Sequence, residues 1–214
     1  MIITVDGPAA AGKGTLARAL ADELGFHFLD TGSLYRRVGL AVLKAGHNPG
    51  NADEAARAAA SPGIMAFADD DLRNEKVAAA ASQVSVHPQV RANLLDFQRR
   101  FAAQAPGAVL DGRDAGTVIC PDAAVKFFVI ATAEERARRR YVELRAAGKD
   151  ASYAEVLADL QARDARDQSR ATAPLKPADD AVILDTTTLH PNEVLAMALA
   201  LIYLRRELAP RLTV

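Results

Sequence analysis

Three observations predict an α/β fold, a three-layer sandwich with a central parallel sheet. Short, continuously apolar runs alternate with stretches of helical periodicity. The first run opens through a glycine-rich loop into a helix, and three runs end in Asp6, Asp30 and Asp111. Acids and a glycine-rich loop at strand ends belong where such sheets bind ligands, outside the carboxyl ends of the strands.

The first strand is Ile2-Ile3-Thr4-Val5, ending in Asp6, and the loop after it reads Gly7-Pro8-Ala9-Ala10-Ala11-Gly12-Lys13-Gly14-Thr15. Helical spacing of apolar residues follows over 16–24, so the strand, loop and helix that a phosphate-binding P-loop needs are all present. Gly7 and Gly12 let consecutive amides point at one anion, the helix contributes its positive end, and Lys13 adds a mobile charge for the outer phosphates. The loop is suited to a nucleoside triphosphate; the plainer alternative is a turn that only joins strand to helix. Gly14 follows Lys13 directly and the hydroxyl comes one later, at Thr15, so no side chain at 14 can ligate Mg²⁺.

The second strand is expected over 26–30, Thr31-Gly32-Ser33 as a turn and helix cap, and a helix over 34–45. Residues 46–51 break the pattern. Helix returns over 52–60, breaks at Ser61-Pro62-Gly63, and resumes over 78–101 with an interruption near His87-Pro88. Buried strands are expected at 108–111, 125–130 and 181–185, each apolar enough to be covered on both faces. The last helix runs over about 192–208 with Pro191 at its mouth, and Asp6, Asp30 and Asp111 are expected to gather at one active edge.

Half of the 214 residues are apolar, enough for a substantial core. With 26 basic and 27 acidic residues, the net charge of -1 argues against a surface that tracks a nucleic-acid polymer. The single Cys120 excludes an intrachain disulfide framework, and neither a leader segment nor a membrane span is visible. These features predict a soluble cytoplasmic protein, with a monomer as the default.

Positive charge is concentrated between 134 and 170. Arg136, Arg139 and Arg140 share one helical face, and Arg163, Arg166 and Arg170 repeat that spacing on a second helix, as a basic lid closing over a polyphosphate would require. The alternative is a solvated helix laced by pairs such as Asp159 with Arg163 and Arg163 with Asp167. Arg138, Arg145 and Arg166 also read as ordinary surface. The segment Asp30-Thr31-Gly32-Ser33-Leu34-Tyr35-Arg36 sets a hydroxyl and an arginine across a helix start, either a second phosphate site or, for Thr31, a simple cap. The third strand ends in Asp111-Gly112-Arg113-Asp114-Ala115-Gly116-Thr117, where an acid can hold Mg²⁺ waters and an arginine can reach phosphate.

Taken in order, these residues resemble the bacterial cytidylate kinase family, a branch of the P-loop nucleoside monophosphate (NMP) kinases, over nearly the whole chain. The resemblance rests on Asp6-Gly7-Pro8 with Gly12-Lys13-Gly14-Thr15, on residues 30–36, on Ala81-Ser82-Gln83-Val84 with Pro88 and Val90-Arg91, on Asp111-Gly112-Arg113-Asp114, and on Arg163-Asp164 through Arg166-Asp167 to Arg170-Ala171. It implies transfer of the γ-phosphoryl of ATP to CMP or dCMP, with Mg²⁺. Lys13 and the loop from Gly7 to Thr15 would bind ATP, with Arg136 and Arg139 from the lid. Arg36, Arg113 and Arg170 would grip the acceptor phosphate, and Lys13, Arg113 and Arg170 would be the catalytic charges. Ser82, Arg91 and Asp114 would read cytosine; Thr31, Arg163 and Asp167 would meet the sugar; Asp111 would hold Mg²⁺ through water. The implied division is a core of 1–32, 102–132 and 171–214, an NMP-binding subdomain of about 33–101, and a lid of about 133–170. Many members carry a β-hairpin before the Ser-Gln segment, whereas here only residues 65–71 separate the Pro62-Gly63 break from Leu72-Arg73-Asn74-Glu75, so this subdomain is shortened. A kinase for another small acceptor on the same scaffold, and a non-catalytic module that uses ATP as a switch, remain as rivals.

Overall fold

The computed structural model describes residues 1–72 and 74–208; Arg73, which the sequence leaves between lid support and plain surface, lies outside them. Five strands form one all-parallel sheet: β1 (Ile2–Asp6), β2 (His27–Asp30), β3 (Ala108–Gly112), β4 (Val125–Ile130) and β5 (Val182–Asp185), in the order β2-β3-β1-β4-β5. The chain leaves β1 toward one side of the sheet and β4 toward the other, so the crevice at their carboxyl ends is a topological switch point. β5 is an edge strand with Ile183 about half exposed, so it is not covered on both faces as its apolar run had implied.

Helix α1 (Lys13–Leu24) packs with the final helix α8 (Pro191–Leu208) against one face of the sheet, where Ile3, Val5, Leu16, Leu20, Phe127 and Ile202 form the main core. Leu29, Leu110, Ala115 and Ile119 fill the other face. Four helices between β2 and β3, namely α2 (Thr31–Lys44), α3 (Ala52–Ala60), α4 (Glu75–Val84) and α5 (Pro88–Ala102), enclose a separate cluster around Leu34, Val38, Val84, Val90 and Leu94. Between α3 and α4 the described residues form two short 3-10 turns, Pro62–Ala66 and Asp69–Leu72, with short irregular links around them. Between β4 and β5, α6 (Ala133–Ala146) and α7 (Tyr153–Ser169) pack on each other through Ala137, Leu144, Val156 and Leu160, with Ala9 of the P-loop in the same cluster.

Local signals set these boundaries. Asn51, Asn74 and Thr132 cap α3, α4 and α6 with side-chain oxygens, and Pro88 and Pro191 open α5 and α8 where no amide donor is needed. For α2 the cap is Asp30, whose carboxylate accepts from the Ser33 amide, and not Thr31. Thr31 is the first helical residue, which leaves its hydroxyl free to donate to the Asp111 carbonyl at 2.8 Å.

Candidate active site

The P-loop is held open from behind. Gly7 stands at φ 150°, and a Cβ there would lie 2.1 Å from the Val129 carbonyl oxygen, so no side chain fits. The loop carbonyls are tied outward: Thr186 Oγ1 donates to Ala11 at 2.8 Å, and Arg136 Nη1 donates to Ala9 at 3.2 Å. Helix α1 begins at Lys13 with Gly12 as its cap and no side chain accepting from its first amides. Those amides are therefore available to an anion.

Lys13 reaches Asp111 at the end of β3, with Nζ 3.4 Å from Oδ1 and both side chains largely buried. Burial pushes the lysine below its ordinary pKa, helped by Arg113, and pushes the carboxyl above its own; each partner pulls the other back. Asp111 Oδ1 is buried without a hydrogen bond. A Cβ at residue 14 would stand 3.0 Å from Asp111 Oδ2, so the glycine that takes the usual hydroxyl position also makes room for this carboxylate.

Beside this pair lies a cavity of about 120 Å³. Its wall combines Lys13 from the start of α1, Asp30, Asp111, Arg113 and Asp114 from the sheet edge, Thr31, Tyr35 and Arg36 from α2, Ser82, Ser85 and Arg91 from α4 to α5, and Arg163, Asp167 and Arg170 from α7 and its end. Arg91 pairs with Asp114, both buried, and Arg170 Nη2 approaches the other oxygen of Asp114 at 3.5 Å. Arg113 donates to Asp167 at 3.0 Å. Arg163 Nε and Arg170 Nη2 are buried and make no hydrogen bond. Burial, followed by repulsion from Arg113, lowers Arg163 to about 10. The wall is thus crowded with cations whose donors are not all used.

The sequence matches the family model described as "Cytidylate kinase" over residues 3–204. A cytidylate kinase from Paramagnetospirillum magneticum is 55% identical over 208 residues, covering 96% of this chain and 99% of that one. Another from Methylocella silvestris is 54% identical over 202 residues, covering 94% of each. The chain belongs to the cytidylate kinase family. Among solved structures, a gluconokinase from Sinorhizobium meliloti shares the fold, with a TM-score of 0.51 at 16% identity over 98% of this chain and 95% of that one.

For this cytidylate kinase family chain, every residue expected at the acceptor nucleotide lines this same cavity: Thr31, Arg36, Ser82, Arg91, Arg113, Asp114, Arg163, Asp167 and Arg170. The two lid arginines expected at ATP lie at the P-loop, outside the cavity wall. Arg136 directs its three nitrogens at Ala131, Ala9 and Asp164, bracing the loop from below, and Arg139 binds Glu135 and Thr186 with Nη1 beside Gly12. Arg140 turns to Glu75 and Glu143 instead of to a phosphate site. Arg138 and Arg145 pair on the surface with Glu135 and Asp150, whereas Arg166 donates across to Ser82 Oγ at 3.3 Å. Asp167 is engaged by Arg113 rather than by its helical neighbour Arg163.

Asp6 does not join Asp30 and Asp111. Register explains why: Asp30 pairs with Asp111, and Asp111 with Val5, so alternation turns the adjacent Asp6 to the opposite face. Sequence reasoning also missed Tyr35, Ser85 and Thr186. Tyr35 carries Arg91 over its ring at 5.4 Å, and Ser85, one helical turn beyond Ser82, offers its carbonyl to Arg91 Nη1 at 3.2 Å. The spacing of Ser85 from Ser82 was a usable signal; nothing local marks Thr186.

Proposed function

We propose that this chain transfers the γ-phosphoryl group of ATP to CMP or dCMP, forming ADP and CDP or dCDP. The observation that carries this reading is the charge of the cavity wall. Lys13 and five arginines (36, 91, 113, 163 and 170) face Asp30, Asp111, Asp114 and Asp167. Two positive charges are in excess, which matches a dianionic monophosphate.

In this reading the amides from Gly7 to Thr15 and Lys13 hold the ATP phosphates, with Arg139 at the same loop and Arg136 bracing it. Arg36, Arg113 and Arg170 hold the acceptor phosphate. Ser82, Arg91 and Asp114 read the cytosine edge, where an exocyclic amine donates and O2 and N3 accept. Thr31, Arg163 and Asp167 meet the sugar. An oxygen of the acceptor phosphate bonds to the γ-phosphorus as the bridging bond to the β-phosphate breaks and ADP departs. A dianionic phosphate is already nucleophilic, so no general base is required; Lys13, Arg113 and Arg170 supply position and charge. Residues 133–170 act as the lid that excludes water and 33–101 as the NMP-binding subdomain, around a core of 1–32, 102–132 and 171–214.

Asp111 suits magnesium held through water. Its Oδ1 is buried without a hydrogen bond, and no group of three or more His, Cys, Asp or Glu among the described residues could form an all-protein cage. Magnesium there would neutralise charge on the transferring phosphates. The enzyme is read as a cytoplasmic monomer acting on small molecules; among the described residues no helix is long and apolar enough to cross a membrane.

The test is ADP formation by the purified protein with ATP and Mg²⁺ against CMP, dCMP, UMP, AMP, GMP and shikimate. Strong turnover with CMP and dCMP is expected, with weak turnover for the rest. ATP binding without acceptor-dependent turnover would overturn the reading in favour of a nucleotide-sensing module.

A further inference from the structure

We propose that Asp6 is a positioning residue of the acceptor site, setting where Arg113 and Asp114 stand by clamping the backbone immediately after them. The inference rests on the reading of those two residues as acceptor-binding groups.

Asp6 ends β1 and is 4% exposed, yet it does not line the cavity. Both carboxylate oxygens accept main-chain donors from the turn after β3: Oδ1 from the Ala115 amide at 2.8 Å and Oδ2 from the Gly116 amide at 2.7 Å. Among the described residues, no side-chain hydrogen bond joins Asp6 to the P-loop that follows it. Its backbone partner in the sheet is Gly112. Arg113 and Asp114 therefore form a two-residue bridge between a point pinned by the sheet at Gly112 and a point pinned by Asp6 at Ala115. With both ends pinned, few backbone conformations remain, and both side chains are delivered to the cavity wall.

The fit at the clamp is close. A Cβ at Gly116 would stand 2.7 Å from Thr4 Oγ1 and 3.3 Å from Asp6 Oδ2, so the turn can approach this near only without a side chain there. The carboxylate is held against its own burial, which pushes its pKa up to about 7, opposed by the two amides and assisted by the negative charges of Asp114 and Asp111. A side chain of the same shape with a single acceptor atom would not replace it, because two amides donate here. Asp6→Asn keeps the volume but turns one oxygen into a donor facing a backbone donor.

The experiment measures KM for CMP, KM for ATP and the ratio of kcat/KM for CMP over UMP in Asp6→Asn and Gly116→Ala. Loss of one buried hydrogen bond and a donor facing a donor should raise KM for CMP about tenfold and lower the CMP:UMP ratio by a similar factor. KM for ATP should stay within about twofold, because the clamp holds the turn after β3 and not the P-loop. Gly116→Ala, which crowds Thr4 Oγ1 and Asp6 Oδ2 on the clamped side of the same turn while leaving the carboxyl group in place, should reproduce the defect. Unchanged CMP parameters in both variants, or ATP and CMP affinities falling together, would overturn the proposal. Should neither variant fold, hydrogen exchange in the wild type decides it: slow exchange at the Ala115 and Gly116 amides supports the clamp, and exchange as fast as an exposed loop overturns it. A wild-type protein with no CMP-dependent turnover would instead sink the kinase reading itself.

Discussion

Replacing Asp114 by Asn tests the acceptor site most directly, because one side chain there holds a buried ion pair and is the one proposed to read the base. Its carboxylate, about 5% exposed, sits between Arg91 and Arg170, whose side chains are 8% and 5% exposed. Guanidinium stays charged, so the substitution leaves two buried cations near each other around a neutral amide. Breaking a buried ion pair costs about 3–5 kcal/mol. The amide oxygen keeps one acceptor for Arg91, which favours the lower end, and at about 2–4 °C per kcal/mol for a chain of this size the melting temperature should fall by roughly 6–12 °C. The second effect is on selectivity. A carboxylate only accepts, matching the cytosine amine, whereas Asn both donates and accepts and so tolerates the uracil carbonyl. One such hydrogen bond exchanged in a buried site is worth about 1–3 kcal/mol, so the kcat/KM preference for CMP over UMP should shrink by roughly 5- to 150-fold. Calorimetry and steady-state kinetics on the two acceptors read these effects separately. An unchanged melting temperature would refute the buried pair, and an unchanged CMP:UMP preference in a folded variant would refute the assignment of Asp114 to the base.

Lys13→Ala and Arg170→Ala should each lower kcat at least about tenfold with the circular dichroism of the wild type preserved, since each removes a charge proposed to act on phosphate; normal turnover in either would remove that residue from the mechanism. Gly14→Ala adds a Cβ 3.0 Å from Asp111 Oδ2 while improving helix propensity by about 1 kcal/mol, two effects of opposite sign. Its unfolding free energy should stay within about 1 kcal/mol of wild type while the Mg²⁺ needed for half-maximal activity rises, and an unchanged Mg²⁺ titration would count against Asp111 as the metal-side carboxylate. Stability should fall as pH rises from about 4 to about 7, because Asp6, raised from 3.8 to about 7 by burial and by the negative charges of Asp114 and Asp111, binds its proton more tightly in the folded than in the unfolded chain. Glu135, lowered to about 2 by its hydrogen bond to Arg138, acts in the opposite sense but only below about pH 4.5. Urea unfolding across this range should show the decline in wild type and a shallower one in Asp6→Asn; parallel profiles would show that Asp6 does not titrate there.

What was legible in the sequence and what was not divide along a physical line. The P-loop reads directly because its function depends on spacing along one short segment, and the strands and helices follow from apolar period and caps. Membership of the cavity wall was legible only because several motifs stand in family order; no local rule brings Arg91, Asp114 and Arg170 together. Partner choice among the charges was not legible at all. Helical spacing offered Asp167 to Arg163, but the fold brings Arg113 of the sheet edge to it, and a strand-end arginine is invisible to rules of helical spacing. At the start of α2, Asp30 and Thr31 are both capable caps, and one residue of uncertainty in the boundary decided which hydroxyl or carboxylate remained for the site.

Asp6 is the most instructive miss, because composition placed it correctly at a strand end and still assigned it the wrong neighbours. Three acids at the ends of adjacent parallel strands look equivalent in a linear text. Inter-strand register makes them unequal: the pairing of Asp111 with Val5 and with Asp30 sends two acids to one face and the third to the other. A slip of one residue between β1 and β3 would exchange their surroundings, setting Asp6 beside Lys13 and leaving Ala115 and Gly116 without their acceptor. The surroundings of each acid at this sheet edge are therefore a property of strand register, and register is set with the packing of Ile3, Val5, Val109 and Leu110 between the helical layers.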